Sequence, residues 1–192
     1  MSISDRKSEL RAALLKERLS IPKDDWKLNS RLIFDRLKEL DEFKQARIIH
    51  TFVSLNERNE VDTHDLIKEL LIVGKKVFVP VTNFETGELD HSELTYFGDL
   101  ELNKWGVPEP KSTRPLIEKL DIILVPLLGA DESFNRLGYG KGFYDKFLQS
   151  AEALKIGLIF DEFIQSEIPV DDFDEKLDIL ITEKRILRRN NR

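Results

Sequence analysis

The sequence predicts an α/β fold in which an open, mostly parallel sheet is flanked by helices in a Rossmann-like, three-layer arrangement. Short runs of β-branched and other apolar residues occupy consecutive positions, as is typical of strands that are buried on both faces. Segments with apolar residues at helical spacing fit between several of these runs. A chain of 192 residues is also long enough for one sizeable core, so we expect residues 1–192 to form a single domain.

Four helices are predicted, and the first and third of them have a capping or terminating residue. They cover residues 4–20, residues 24–40, the stretch between Asp62 and Gly74, and the stretch from about Lys141 to Gln149. Ser4 is expected to cap the first helix and Asp62 the third. Five strands are predicted at Ile48–Val53, Val77–Val81, Ile122–Val125, Ile156–Phe160 and Ile179–Ile181. Residues 87–97 alternate irregularly between apolar and polar side chains, which suggests a hairpin.

The composition excludes several classes of protein. The chain has no cysteine, so disulfides, thiol nucleophiles, iron–sulfur clusters and cysteine zinc sites are excluded, and we expect a location in the cytoplasm. The longest apolar run, residues 122–130, is far shorter than the roughly 20 residues of a membrane span, so no membrane partner is expected. The net charge of −6 argues against a general nucleic-acid partner.

The most informative stretch is residues 125–148, which read VPLLGADESFNRLGYGKGFYDKFL. A loop of roughly 14–16 residues is expected after the buried strand, and loops of that length in a compact domain are usually functional or mobile. The loop closes with Gly138, Gly140 and Gly142, which let successive backbone N–H groups approach an anion. Arg136 and Lys141 add two cations just before a helix start, so the segment predicts a phosphate-binding site. The alternative is a flexible turn with ordinary helix capping.

Other charged residues fit the same site. Asp145 falls in the first turn of the following helix, where it can bind Mg²⁺ together with phosphates or simply stabilise the helix end. On the first predicted helix, Lys7, Arg11 and Arg18 share one face beside the apolar stripe. These cations can reach the same phosphates, or their stems can cover apolar surface while their heads reach water.

Residues 136–145, RLGYGKGFYD, resemble the signature segment of the 5-formyltetrahydrofolate cyclo-ligases, also called methenyltetrahydrofolate synthetases. Further matches to this family span nearly the whole chain. They are Lys7-x-x-Leu10-Arg11, the stretch from Ser54 to Thr63 around Glu60, residues 105–110 (WGVPEP), Gly157, Gln165, Pro169, Leu177-Asp178 and Thr182-Glu183. The chain departs from the family at Leu127, Ala130 and Phe134, where a glycine, an aromatic residue and a glycine are common.

The resemblance implies an enzyme that closes 5-formyltetrahydrofolate to 5,10-methenyltetrahydrofolate with ATP, by phosphorylation of the formyl oxygen and release of ADP and phosphate. It assigns ATP contacts to Lys7, Arg11, Arg136, Leu137, Gly138, Tyr139, Gly140, Lys141, Gly142, Phe143 and Tyr144. It assigns catalysis to Arg136, Lys141 and Tyr144, and folate contacts to Val53, Glu60, Trp105, Tyr139 and Phe143. It assigns Mg²⁺ to Asp145 and Asp178, and it implies a monomer.

Two alternatives remain open at this point. One is a catalytically silent protein of the same fold that binds nucleotide or folate, and the other is a sugar-phosphate isomerase-like enzyme. The metal role of Asp178 also carries a condition. If its strand runs parallel to the strand at residues 122–125, Asp178 begins at the sheet edge away from the glycines, so the role requires an antiparallel strand or another sheet position.

Overall fold

The computed structural model describes residues 2–86 and 88–190. Within them the helices are α1 (Ile3–Leu19), α2 (Lys23–Glu39), α3 (Asp41–Gln45), α4 (His64–Ile72) and α5 (Phe143–Ser150). The strands are β1 (Ile48–His50), β2 (Lys76–Asn83), β3 (Glu88–Leu94), β4 (Leu100–Leu102), β5 (Pro108–Pro110), β6 (Ile122–Val125), β7 (Gly129–Asp131), β8 (Arg136–Leu137), β9 (Leu154–Leu158), β10 (Ile164–Gln165), β11 (Ile179–Ile181) and β12 (Ile186–Arg188). Short 3₁₀ turns lie at Asn56–Arg58, Phe97–Asp99 and Asp161–Phe163.

A seven-stranded sheet in the order β12-β11-β9-β6-β1-β2-β3 forms the centre of the fold. Its five inner strands are parallel, and β12 and β3 add antiparallel edges. All four residues of β6 are buried, as expected for a strand covered on both faces. Helix α2 contacts β11, α4 contacts β2, and α5 contacts β3. The predicted α/β class with a mostly parallel sheet is therefore confirmed.

All five predicted strands are present, but some end elsewhere. The first ends at His50 rather than at Val53, because residues 51–53 leave the ladder while remaining buried. The segment predicted as a hairpin supplies β3, which pairs antiparallel with β2. Gly87, the first residue of that segment, lies outside the described residues.

Two helix caps differ from the prediction. Ser2, not Ser4, caps α1: its hydroxyl accepts from the Asp5 N–H at 3.1 Å, and the Asp5 carboxylate accepts from the Ser2 N–H at 3.0 Å. This reciprocal pair is a capping box. At α4 the capping position belongs to Thr63, while the preceding Asp62 side chain accepts from the first helical N–H, that of His64.

The prediction of a long loop after β6 is wrong, because most of that segment forms regular structure. Strands β7 and β8 form a hairpin, and β10 joins β7 to make a three-stranded sheet. The buried Asp131 carboxylate holds this unit, since it accepts hydrogen bonds from Ser133 N, from both nitrogens of Asn135 and from Ile168 N. Only a short part of the predicted loop, after β8, therefore remains irregular.

None of the helices within residues 2–86 and 88–190 combines the length and the apolar character that a membrane crossing requires.

Candidate active site

Two adjoining cavities open where the central parallel strands end, the usual position of ligand sites in open α/β sheets. The larger, of about 780 Å³, is mostly apolar, and we call it the large chamber. Its walls include Val53, Glu60, Trp105, Glu109 and Tyr144. The smaller, of about 440 Å³, is called the polar chamber and is lined by Lys7, Arg11, Arg136, Leu137, Gly138, Gly140, Gly142, Asp145, Asp171 and Asp174 among others. Residues shared by both linings come from the glycine segment, residues 136–142, together with Arg11 and Asp145.

Two residues of the glycine segment have backbone conformations that glycine adopts without strain and other residues rarely do. Gly140 and Gly142 have φ of 85° and 70°, in the left-handed region. A Cβ on Gly140 would lie 3.0 Å from the Arg11 Cζ, and one on Gly138 would lie 2.8 Å from the Arg136 Nη1. Helix α5 begins directly after Gly142, so its first N–H groups lack intrahelical partners. The segment therefore offers bare backbone amides between two guanidinium groups.

Three of the four predicted phosphate-binding cations line the polar chamber, and each of these three contacts protein groups. Arg11 Nε donates to the Gly138 carbonyl at 2.9 Å. Arg136 is buried and pairs with the Asp145 carboxylate, while its Nε has no partner among the described residues. Lys7 is also buried, and its Nζ is paired with two carboxylates. Lys141 is exposed at the rim of the large chamber and has no ion-pair partner within the described parts of the chain.

Lys7 forms ion pairs with Asp171, at 2.7 Å, and with Asp174. Burial lowers the pKa of Lys7, but the two carboxylates outweigh it and raise that pKa above its usual value. The sequence analysis missed both aspartates, because they lie 164 and 167 residues along the chain from Lys7. The only available signal was the acidic run at residues 171–175. Both carboxylates line the polar chamber, so its cations face acidic groups there.

Tyr139 links the glycine segment to the large chamber. Its hydroxyl donates to the Glu60 carboxylate and accepts from Arg18 Nη2 at 2.6 Å. Arg18 is buried and also donates to the backbone carbonyls of Leu127 and Arg58. The sequence placed Arg18 with Lys7 and Arg11 on one face of α1, where the three cations could reach the phosphates or cover apolar surface. The structure makes it the residue that holds Tyr139.

The Glu60 carboxylate is buried and accepts a second hydrogen bond from Leu55 N at 2.7 Å. Burial raises the pKa of Glu60, although the hydrogen bonds from Tyr139 and Leu55 and the charges of Arg18 and Arg58 oppose this. The pKa of Tyr139 is raised by burial and by the charge of Glu60. The phenol is thus held protonated as a donor to the carboxylate.

Aromatic side chains form the outer wall of the large chamber. Trp105 is 53 % exposed, and its ring stacks on Phe143 with centroids 6.5 Å apart and an interplanar angle of 22°. Phe84 meets Trp105 edge to face at 4.6 Å. The Tyr144 hydroxyl is buried and has no hydrogen-bond partner among the described residues. Burial and the charge of Glu60 raise the pKa of Tyr144. A flat ring can enter beside Trp105, as aromatic stacking requires.

The structure does not bring the two predicted metal ligands together. Strand β11 runs parallel to β9 and β6, so Asp178 precedes it at the opposite edge of the sheet from Asp145. The Asp178 carboxylate instead accepts from Lys155 N at 3.0 Å and from Arg189 at 2.6 Å. Among the described residues, no group of three or more histidine, aspartate or glutamate side chains is arranged to hold a metal ion.

The three departures from the family pattern lie outside both cavity linings. Leu127, Ala130 and Phe134 are buried in or beside the β7–β8 hairpin. Phe134 has a φ of 65°, a conformation that glycine adopts more readily, which fits the glycine common at this position. The departures therefore change the packing of the hairpin and leave the walls of the chambers intact.

The chain resembles known proteins along nearly its whole length. The family model described as the 5-formyltetrahydrofolate cyclo-ligase family matches residues 3–183. The chain belongs to this family. Similar cyclo-ligases include that of Mus musculus, 29 % identical with 95 % of this chain and 96 % of that protein covered, and that of Escherichia coli K12, 32 % identical with 73 % and 80 % covered.

Among solved structures, the NMR structure of Aquifex aeolicus 5,10-methenyltetrahydrofolate synthetase superposes with a TM-score of 0.85. It is 30 % identical in sequence, and the match covers 97 % of this chain and 94 % of that one. The resemblance to cyclo-ligases stated from the sequence is therefore confirmed, in sequence and in fold.

Proposed function

We propose that this cyclo-ligase closes 5-formyltetrahydrofolate to 5,10-methenyltetrahydrofolate while converting ATP to ADP and phosphate. The observation that carries the proposal is the shared wall of the two chambers. One is polar and lined by cations, carboxylates and backbone amides, the other is mostly apolar and lined in part by aromatic rings, and the glycine segment borders both. A phosphate donor and a flat acceptor can therefore meet across Arg136 and Gly138.

In this proposal the ATP phosphates occupy the polar chamber. Lys7, Arg11 and Arg136 surround the phosphates, and the N–H groups from Gly138 to Tyr144 point bond dipoles at them. Leu137 and Phe143 hold the two ends of this segment. Because Lys7 and Arg136 already pair with carboxylates, the incoming phosphates share or replace those partners.

The folate occupies the large chamber. Val53 forms part of its buried wall, and Trp105 and Phe143 flank the entrance for a flat ring. Glu60 keeps acceptor capacity beyond its bonds to Tyr139 and Leu55, since each carboxylate oxygen accepts two hydrogen bonds, and we assign it a contact with the pterin. We further propose, as the resemblance to the family implies, one domain that acts as a monomer.

The chemistry needs alignment and charge stabilisation more than acid–base catalysis. The formyl oxygen attacks the γ-phosphorus, the bond to the β-phosphate oxygen breaks, and ADP leaves. N10 of the folate then attacks the activated formyl carbon and loses its proton, and the former formyl oxygen departs within inorganic phosphate. Arg136 and Lys141 stabilise the charge on the transferred group, and Tyr144 lies beside it.

A magnesium ion fits the donors of the polar chamber. Mg²⁺ is commonly held by one or two carboxylates together with substrate phosphates, and Asp145 offers such a carboxylate beside Arg136. Asp171 and Asp174 line the same chamber, whereas Asp178 does not. Asp171 and Asp174 are already paired with Lys7. We therefore propose Asp145 as the carboxylate that would hold the ion together with the phosphates, without Asp178. The ion would neutralise phosphate charge in the chamber.

The test is to incubate the protein with 5-formyltetrahydrofolate, ATP and Mg²⁺ and to follow methenyl absorbance and ADP together. We expect one ADP for each methenyl product. ATP binding without product would instead support the catalytically silent alternative, and product without ATP would remove the ligase reaction. Omitting Mg²⁺ should abolish both signals, and unchanged turnover without it would refute the metal proposal.

A further inference from the structure

The carboxylate of Glu109, on β5, lies in the wall of the large chamber and has one unused oxygen. The side chain is largely buried, with 9 % exposure. Its Oε1 accepts hydrogen bonds from Thr82 N and from Asn103 Nδ2, each at 2.8 Å. Its Oε2 accepts none from the described residues. Two donors on one oxygen fix the plane of the carboxylate and direct the second oxygen elsewhere.

The same asparagine sets the position of the neighbouring aromatic ring. The Asn103 Oδ1 accepts from Trp105 N at 2.8 Å and from Val107 N at 3.0 Å. One side chain therefore holds both the turn that carries Trp105 and the orientation of Glu109. An exposed indole ring and an oriented acceptor on one turn form a site for a flat heterocycle with a hydrogen-bond donor at its edge.

Glu109 differs in this respect from Glu60, the other buried carboxylate of the chamber. Each oxygen of Glu60 already takes a hydrogen bond, one from Tyr139 and one from Leu55 N. Those two hydrogen bonds hold Tyr139 of the glycine segment and the backbone at Leu55. The Glu109 Oε2 is not fully enclosed by protein atoms, so a ligand that fills the mostly apolar chamber would bury it. An acceptor buried without a partner is costly, so a ligand that donates a hydrogen bond there is favoured.

We propose that Glu109 is a specificity-determining residue whose Oε2 accepts a hydrogen bond from the amino-pyrimidine edge of the folate. This inference rests on the proposed function and deepens it by naming the substrate group that the residue reads. A heterocycle without that donor would leave Oε2 unpaired and would bind more weakly. The carboxylate would thus select the 2-amino group of the pterin.

The test uses Glu109→Gln in the full chain. The amide oxygen keeps the two donors at the Oε1 position, so the amide NH₂ replaces Oε2 and faces the substrate donor. We expect the KM for 5-formyltetrahydrofolate to rise about tenfold or more, with the KM for ATP unchanged. Glu101→Gln is the matched control, since Glu101, on β4, is opposite Glu109 in the strand register but is exposed and outside the chamber lining. An unchanged folate KM would overturn the proposal.

A second measurement separates recognition from a merely structural role. Binding of 5-formyltetrahydrofolate is titrated against that of an analogue whose 2-amino group is replaced by methyl. The wild type should discriminate against the analogue about tenfold or more, and Glu109→Gln should lose this discrimination. Equal discrimination by both proteins would contradict the proposal. If Glu109→Gln does not unfold cooperatively on heating, the same titration is made with Glu109→Asp, whose shorter carboxylate should also lose the discrimination. Because binding needs no turnover, failure of the ligase assay would reject the proposed function separately.

Discussion

Arg18 and Tyr139 are joined by a hydrogen bond of 2.6 Å from the guanidinium Nη2 to the phenolic oxygen, although they lie 121 residues apart. The same phenol donates to the buried Glu60 carboxylate. The first helix therefore fixes the middle of the glycine segment against the wall of the large chamber. Each of the two chambers depends on this contact, because the segment borders both.

Removing the Tyr139 hydroxyl should destabilise the fold. Tyr139→Phe leaves a buried carboxylate oxygen without its donor, which costs about 1–3 kcal/mol. Urea unfolding measures this as a lower transition midpoint with an unchanged slope. Tyr96→Phe is the control, since Tyr96 is 67 % exposed. Equal stabilities for the two variants would show that the Glu60–Tyr139 bond contributes nothing.

Arg136→Ala should weaken the use of ATP. A guanidinium that meets phosphate contributes about 1.5–3 kcal/mol, which corresponds to a rise of roughly 10- to 150-fold in the KM for ATP. The KM for 5-formyltetrahydrofolate should change far less. Arg31→Ala, at an exposed position on α2, is the control. ATP kinetics like those of the wild type would reject the phosphate role of Arg136.

Gly140→Ala should damage the site beyond its cost in stability. An alanine in the left-handed region costs about 1–2 kcal/mol, and its Cβ would press on the Arg11 guanidinium. Gly74→Ala provides a matched control, because Gly74 has a φ of 77° but no atom within 4 Å of the added Cβ. Both variants should lose similar stability by thermal unfolding, and only Gly140→Ala should raise the KM for ATP. A similar effect on ATP in both would refute the role of this contact.

Acid should destabilise the protein through a pair of histidines, of which His50 is buried and His91 is half-buried. His50 Nε2 and His91 Nδ1 lie 3.0 Å apart. Burial lowers the pKa of His91 from 6.5 to about 4, and burial together with His91 lowers the pKa of His50 further below its usual value. As the pH falls, the histidines of the unfolded chain therefore bind protons before those of the folded chain. The contribution of the pair to folding stability is complete above about pH 6.5 and falls as the pH drops toward 4.

Urea unfolding between pH 7 and pH 4 measures this effect. His91→Phe keeps a ring against Phe147, whose centroid lies 3.9 Å from that of His91, and it should show a shallower loss of stability with falling pH. A wild-type stability that is constant over this range would contradict the assignment.

The sequence predicted the central sheet well because its physical signal is local. Consecutive apolar residues at 122–125 and at 179–181 mark strands buried on both faces, and these two strands have the predicted bounds. The sequence also singled out the glycine segment, which lines both cavities, while its role toward an anion stays a prediction. Contacts between distant parts of the chain left no such signal. The pairing of Lys7 with Asp171 and Asp174 depends on how the chain returns to α1.

The errors have the same physical origin. The loop after β6 folds because Asp131 accepts from Ile168 N, which lies 37 residues further along. Asp178 was assigned to the metal by resemblance, and the direction of β11 decides otherwise. The unused oxygen of Glu109 is defined by Thr82 and Asn103, on two other segments. Motifs located the site, and the tertiary fold determined the partner of each side chain.

The central claim is that a phosphoryl group crosses from the polar chamber to the formyl oxygen in the large chamber. The most direct test uses 5-formyltetrahydrofolate with ¹⁸O in the formyl group, ATP and the wild-type protein, with the released phosphate examined by mass spectrometry. The account predicts one ¹⁸O atom in each phosphate that accompanies a methenyl product. Unlabelled phosphate, with the ¹⁸O recovered in water, would contradict it.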